Sequence, residues 1–199
     1  MAWKRFAIAE AKLRSSAYVI PSNKNMEQTL YDLLGVYAEE GCDCTDEVQF
    51  WGHGSSGNAG WISEQAERGT SELTAGSFSI PGLEQFGDDT TQPGYREWHE
   101  KLTPLQRRLV LLRRTICDSD SRIYYRSCQA FQGQKGIDFA KASSTFWRCD
   151  VTGHTKNIGL TQPGKHTVSV CAEPDWDPSE GETEEAKKDK ESLRNVKPR

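Results

Sequence analysis

Val48-Gln49-Phe50-Trp51-Gly52-His53-Gly54-Ser55-Ser56-Gly57 and Arg122-Ile123-Tyr124-Tyr125-Arg126-Ser127-Cys128-Gln129-Ala130 are two apolar runs that each stop on a reactive side chain. Both read as short buried strands. The first ends on a histidine flanked by glycines, the second on a cysteine. In a parallel sheet the C-terminal ends of the strands share one edge, and sites collect there. If the two strands are neighbours, His53 and Cys128 can face each other across a cleft. That is the minimal equipment for nucleophilic catalysis by a thiol.

Strand and helix signals alternate on both sides of these runs. Residues 16–20 are β-prone and closed by Pro21. Asn25 is placed to cap a helix in which Met26, Leu30, Leu33, Leu34 and Tyr37 recur at helical spacing, with Gly41 as its stop. A Gly/Ser-rich insertion spans 55–94 and holds short strand signals at 60–62 and 77–80; a loop this long is usually functional or mobile. From Tyr95, the residues Trp98, Leu102, Leu105, Leu109, Leu112 and Ile116 form one apolar stripe. Pro104 interrupts it, which means either a kinked helix or two helices in succession. After Cys128, Gly133 and Gly136 turn the chain into a helix whose inner face is Ile137, Phe139, Ala140, Ala142 and Phe146. Strands are expected at 149–153 and 167–171. After Glu173 the composition changes sharply and Glu180 to Arg199 is almost entirely charged or polar, so 1–172 reads as the folded domain and 173–199 as a charged, solvated, disordered tail. The β-α-β-α-β-α-β order implies an α/β fold, a mostly parallel central sheet between helical layers, with right-handed crossovers.

Composition narrows the function classes. The 199 residues carry a formal net charge of −4, so nothing suggests a nucleic-acid footprint. No apolar run reaches the roughly 20 residues needed to span a bilayer, and the stretch Phe6-Ala7-Ile8-Ala9 is too short for a signal peptide's apolar region. A cytoplasmic protein is therefore expected. Its six cysteines (42, 44, 117, 128, 149 and 171) should then be mostly reduced.

The chemistry follows from the residue types. An imidazole near a thiol can take its proton and later return it to a leaving group. Glycine beside the histidine lets backbone approach a substrate, and its N–H can point at a developing oxyanion. Gly54 N–H takes that role here, with Cys128 N–H as its partner. Acyl transfer, above all peptide hydrolysis, is the natural reaction.

A hydrophobic strand ending in His-Gly, followed by one ending in Ser-Cys, resembles the caspase-like (clan CD) cysteine peptidases. The stretch from Ser127 to Ala140, a cysteine followed by small residues, two glycines and a helix, is similar to the bacterial members. Val151-Thr152-Gly153-His154-Thr155 continues the likeness, which covers residues 15 to 172. The resemblance implies a three-layer α/β/α sandwich and a His/Cys dyad at His53 and Cys128. The caspase signature has Gly two residues after the cysteine and its histidine about 50 residues upstream. Here Ala130 stands at that place and the numbering runs from 53 to 128, so a divergent bacterial-type member fits better and specificity for aspartate is not carried over.

The remaining candidates leave alternatives open. Ser127, Arg126 and His154 are candidate substrate contacts. His154 is also a candidate replacement base, or a structural histidine. His166 reads as a turn residue and His99 as a surface one. Glu64, Glu67, Asp88 and Asp89 can read a basic substrate residue, Arg68 or Arg126 an acidic one, and the sequence does not choose. Cys42-Asp43-Cys44 lacks a second pair at zinc-finger distance. His53, Cys128 and His154 could in principle converge on a catalytic metal, so a metallohydrolase is the minor alternative; otherwise no metal or cofactor is implied. A serine hydrolase is disfavoured because the chain lacks Gly-x-Ser-x-Gly. The main rival is a module that keeps the fold, has lost the chemistry and binds another protein. The expected partners are a protein or peptide substrate and a protein regulator, with neither nucleic acid nor membrane.

Overall fold

The computed structural model describes residues 26–40, 44–60, 72–117, 120–159 and 161–183. The strand expected at 16–20, the Asn25 cap, Cys42, Glu64, Glu67, Arg68 and the tail beyond 183 lie outside them.

Four strands form the main sheet: β1 (Glu47–Gly52), β5 (Arg122–Ser127), β6 (Asp150–His154) and β7 (Lys165–Val168), in the order β1-β5-β6-β7. The first three are parallel and β7 runs antiparallel to β6. The fold is thus mixed α/β around a mostly parallel sheet. A second, antiparallel sheet is built from β2 (Gly54–Ser55), β3 (Asn58–Gly60) and β4 (Glu72–Thr74).

The helices follow the apolar periodicity. Helix α1 (Met26–Glu40) buries Met26 and Leu30 completely. A single turn, α2 (Leu83–Phe86), precedes the stripe that begins at Tyr95. Pro104 splits that stripe into α3 (Tyr95–Lys101) and α4 (Pro104–Arg113), which settles the choice between a kink and two helices. The reason is local. Thr103 Oγ1 accepts from Gln106 N–H (3.3 Å) and Gln106 Oε1 accepts from Thr103 N–H (3.0 Å), a reciprocal cap. Proline is favoured at the first helical position, where its missing N–H is not needed. Helix α5 (Gly133–Trp147) crosses from β5 to β6.

Two strand expectations are corrected. Residues 75–78 form a 3-10 turn, not a strand. Thr74 N–H donates to Ser77 Oγ (3.0 Å), a local bond that competes with ladder pairing, and Phe78 turns inward against Phe139 and Phe146. The last strand lies at Lys165–Val168, earlier than expected, because Gly164 at φ +63° redirects the chain onto β6.

The core lies between the sheet and α5. Phe50 of β1 stacks on Tyr125 of β5 (5.4 Å), and Tyr125 packs on Phe139 of α5 (4.9 Å). Tyr125 is fully buried and its hydroxyl is satisfied twice, by Ser143 Oγ (2.7 Å) and by Trp147 Nε1–H (2.9 Å). Packing continues past Glu173. Trp176 is 6 % exposed, stacks on Phe131 at 5.4 Å and donates from Nε1 to the Phe131 carbonyl (3.0 Å). The change of composition at Glu173 is therefore not where packing stops.

A disulfide joins Cys44 to Cys117, so the expectation of reduced thiols fails at this pair. Backbone bonds had already brought the two segments together: Thr45 N–H donates to Thr115 O (2.6 Å) and Cys117 N–H to Thr45 O (3.2 Å). Cys128, Cys149 and Cys171 are free thiols. No described helix is long and apolar enough to cross a membrane.

Candidate active site

The pairing of β1 with β5 runs in register from Glu47↔Arg122 to Gly52↔Ser127. The next residue on each chain is His53 and Cys128, so both leave neighbouring strands at the same level and the same rim. The pleat separates the two faces of the sheet. Phe50 and Tyr125 face α5, whereas Trp51 and Arg126 meet on the other face, with the guanidinium 4.5 Å from the Trp51 ring and 4.3 Å from the Tyr124 ring. His53 and Cys128 each follow directly on the last residue of these strands.

Glycine is required next to His53. A Cβ on Gly54 would stand 2.6 Å from the Cys128 carbonyl oxygen and 2.8 Å from Ser127 Cβ. The two chains therefore touch backbone to backbone just past the strands. Gly54 opens β2 and pairs with Ala59, while Gly60 N–H donates to the His53 carbonyl (2.6 Å), so the small sheet fixes the histidine's backbone. Its side chain is exposed.

Cys128 stands on a tight turn. Gln129 has φ +56°, a left-handed conformation that non-glycine residues rarely adopt and that tends to mark functional positions. The turn is held by Gln129 N–H to Lys156 O (3.1 Å), Gln132 N–H to Gln129 O (3.0 Å) and Phe131 N–H to His154 O (3.0 Å). Helix α5 starts directly after it. The half-buried Cys128 sulfur accepts from Ile158 N–H (3.4 Å) and its S–H donates to Ile158 O (3.7 Å). The His53 imidazole and this sulfur are not hydrogen-bonded to each other among the described contacts. Catalytic contacts often tighten only when substrate binds.

The other candidates separate. Ser127 is fully buried and its hydroxyl makes no hydrogen bond among the described residues, so it faces the core rather than a substrate. His154, left open between a pocket residue, a second base and a structural histidine, is also fully buried. Its Nδ1 lies 3.1 Å from the Pro163 carbonyl and its Nε2 3.0 Å from the Tyr124 hydroxyl, and the ring stacks on Tyr124. A carbonyl only accepts, so Nδ1 carries a proton. Burial holds the His154 pKa below its ordinary 6.5, against the opposing Pro163 bond, and the positive Arg126 and Lys165 add to the depression. The Tyr124 hydroxyl beside Nε2 donates to Gln162 Oε1 (2.7 Å), so the ring sits in a network closed by Pro163, Tyr124 and Gln162. With both nitrogens engaged in this way, His154 is a structural histidine, and the set His53, Cys128, His154 does not converge on a metal. No cluster of three or more His, Cys, Asp or Glu suited to a metal occurs among the described residues.

Arg126 lies near the end of β5, with its guanidinium against the Trp51 and Tyr124 rings. Asp88 is instead structural, bonded to Arg113 (3.1 Å) and Arg148 (2.8 Å). Asp89 is exposed and closes its own loop by accepting from Thr91 (2.8 Å). His99 is not a plain surface residue, since it stacks on Tyr95 and its Nε2 is shut away from solvent. His166 is a strand residue of β7, paired with Gly153 and hydrogen-bonded to Glu180 (3.0 Å).

Three features near Cys128 escape a reading of the sequence: the left-handed Gln129, the Ile158 backbone against the sulfur, and the return of 173–183 onto Phe131. For the last there was a signal, a lone tryptophan in Pro174-Asp175-Trp176-Asp177-Pro178. For the first two there was none, because any residue type can supply a backbone N–H. Compared with protein-family models, curated proteins and solved structures, the chain matches none of them.

Proposed function

We propose that the chain is a cysteine endopeptidase of the caspase-like type, in which Cys128 is the nucleophile and His53 its general base. The observation that carries this reading is the register Gly52↔Ser127, which ends two parallel neighbours on His53 and Cys128. The strained Gln129 after the cysteine supports it, as does the backbone contact that only glycine permits at Gly54. In the proposed reaction His53 takes the Cys128 proton, and the thiolate attacks the scissile carbonyl. The N–H groups of Gly54 and Cys128 receive the oxyanion. The protonated His53 gives its proton to the leaving amine, and water then hydrolyses the thioester. The finer architecture belongs to the same proposal: a three-layer α/β/α sandwich acting in the cytoplasm on a protein or peptide substrate.

A second reading has its own observation. The sulfur bonds to Ile158 and not to His53, as in a module that keeps the fold without the chemistry. One experiment separates the two. Iodoacetamide at mildly acidic pH labels ordinary thiols slowly. Preferential modification of Cys128 that is lost in His53→Ala, together with cleavage of an unfolded protein that is lost in Cys128→Ala, is expected of the peptidase. Equal, slow labelling of Cys128 and the exposed Cys171 rejects it.

A further inference from the structure

The Cys128 sulfur is contacted by a short run of chain, residues 155–158, that is itself held from outside. At its near end Lys156 O accepts from Gln129 N–H (3.1 Å), and Ile158 lies against the sulfur. At its far end Thr155 N–H donates to Gly164 O (2.8 Å). The remaining grip comes from far along the sequence. Thr155 Oγ1 donates to Glu180 Oε1 (2.8 Å), Lys156 Nζ approaches the same oxygen (4.0 Å), and Glu180 Oε2 lies 3.0 Å from His166 Nε2. A Cβ on Gly181 would lie 2.0 Å from the Thr155 carbonyl, so the chain at 180–181 sits directly on Thr155. Trp176, locked on Phe131, anchors that chain.

We propose that Glu180 is a latch: by gripping Thr155 and Lys156 it holds residues 155–158 over the Cys128 thiol and governs access to it. This deepens the peptidase reading, because it assigns a regulatory contact to the same nucleophile. The grip is charge-assisted, and such hydrogen bonds are roughly twice as strong as neutral ones. Burial by itself would raise the Glu180 carboxyl. The hydrogen bonds from His166 and Thr155, with the charges of His166 and Lys156, outweigh it and hold the pKa below the ordinary 4.5. Glu180 is therefore a carboxylate at neutral pH. Without it, the hydrogen bonds left to Thr155 among the described residues are those to Gly164. A substrate must displace Ile158 from the sulfur, so releasing the latch is the step that opens the thiol.

The test is time-resolved labelling of the full chain with N-ethylmaleimide, followed by peptide mass spectrometry. Glu180→Ala should speed modification of Cys128 about tenfold, the scale set by losing charged hydrogen bonds, with the exposed Cys171 unchanged. Thr155→Val, which keeps the shape but removes the donor, should move Cys128 in the same direction and decides the matter if Glu180→Ala does not fold. An unchanged Cys128 rate in folded variants overturns the latch, and so does a rise shared with the buried Cys149, which reports general loosening. The assay needs no hydrolysis. The Glu180 effect should survive in a His53→Ala background, so failure of the latch and failure of the peptidase reading are told apart.

Discussion

Gln129 holds φ +56° without being glycine, at a cost of about 1–2 kcal/mol in a left-handed conformation. The turn it makes is what lifts Cys128 out of β5 and leads into α5 four residues later. Replacing Gln129 with glycine should relieve this strain and stabilise the protein by up to about 1 kcal/mol, read as a higher urea midpoint. A lower midpoint would mean that the Gln129 side chain contributes more than the strain removes. His154 makes a pH prediction. Its folded-state pKa is depressed by burial, so below 6.5 the unfolded chain binds a proton that the folded chain resists. Stability is then complete above 6.5 and declines as pH falls through that value toward the folded pKa. Urea midpoints should drop between about pH 7.5 and 5, and drop less in His154→Gln. Some slope must persist, because His99 is depressed in the same direction, by burial first and by Arg107, Arg114 and Arg108 next. Cys149 behaves oppositely to a reactive thiol: burial, with the nearby Asp150, pushes its pKa up to about 11 despite the Ile123 backbone bond, which keeps it protonated.

Among the elements, those with strong periodicity were legible. Met26, Leu30 and their neighbours gave α1, and the two apolar runs gave β1 and β5 with their C-terminal ends where the chemistry was expected. The order of side chains could not show that Ser77 bonds back to Thr74, so a short β-prone stretch became a 3-10 turn. Nor could it show that Gly164 brings His166 onto β6. The candidates His53, Gly54 and Cys128 come from sequence pattern, because a glycine touching backbone and a cysteine ending a strand leave traces in residue type. That pattern leaves His154 open between a pocket residue, a second base and a structural histidine, because its neighbours Tyr124 and Pro163 come from other elements. Cysteine pairing was equally hidden, since spacing does not reveal that Thr45 meets Thr115. The Cys44–Cys117 bond ties the approach to β1 to the end of α4, opposite the rim of His53 and Cys128. Loop-closure reasoning gives such a bond about 2–4 kcal/mol. Dithiothreitol should therefore lower the thermal midpoint of the wild type and leave that of a Cys44→Ser/Cys117→Ser variant unchanged.

The whole molecule closes on its last described turn. Trp176 carries the packed body beyond the point where composition turns polar, and it covers Phe131, which in turn presses on Gly153 of β6; a Cβ there would lie 2.6 Å from the ring. Trp176→Ala should cost about 3 kcal/mol, the scale of removing a buried aromatic. A chain ending at Ala172 should lose at least as much and melt over a broader range. A thermal midpoint within experimental error of the wild type in both would show that the fold is complete without this segment.

The bond between Cys44 and Cys117 also turns everything from 45 to 116 into a covalent ring. Cutting a ring once opens it without freeing a piece. A single nick in the 55–94 insertion, by this protein or by another protease, would leave both fragments on one molecule. It would migrate as intact protein on a gel until a reductant is added, and only then part in two.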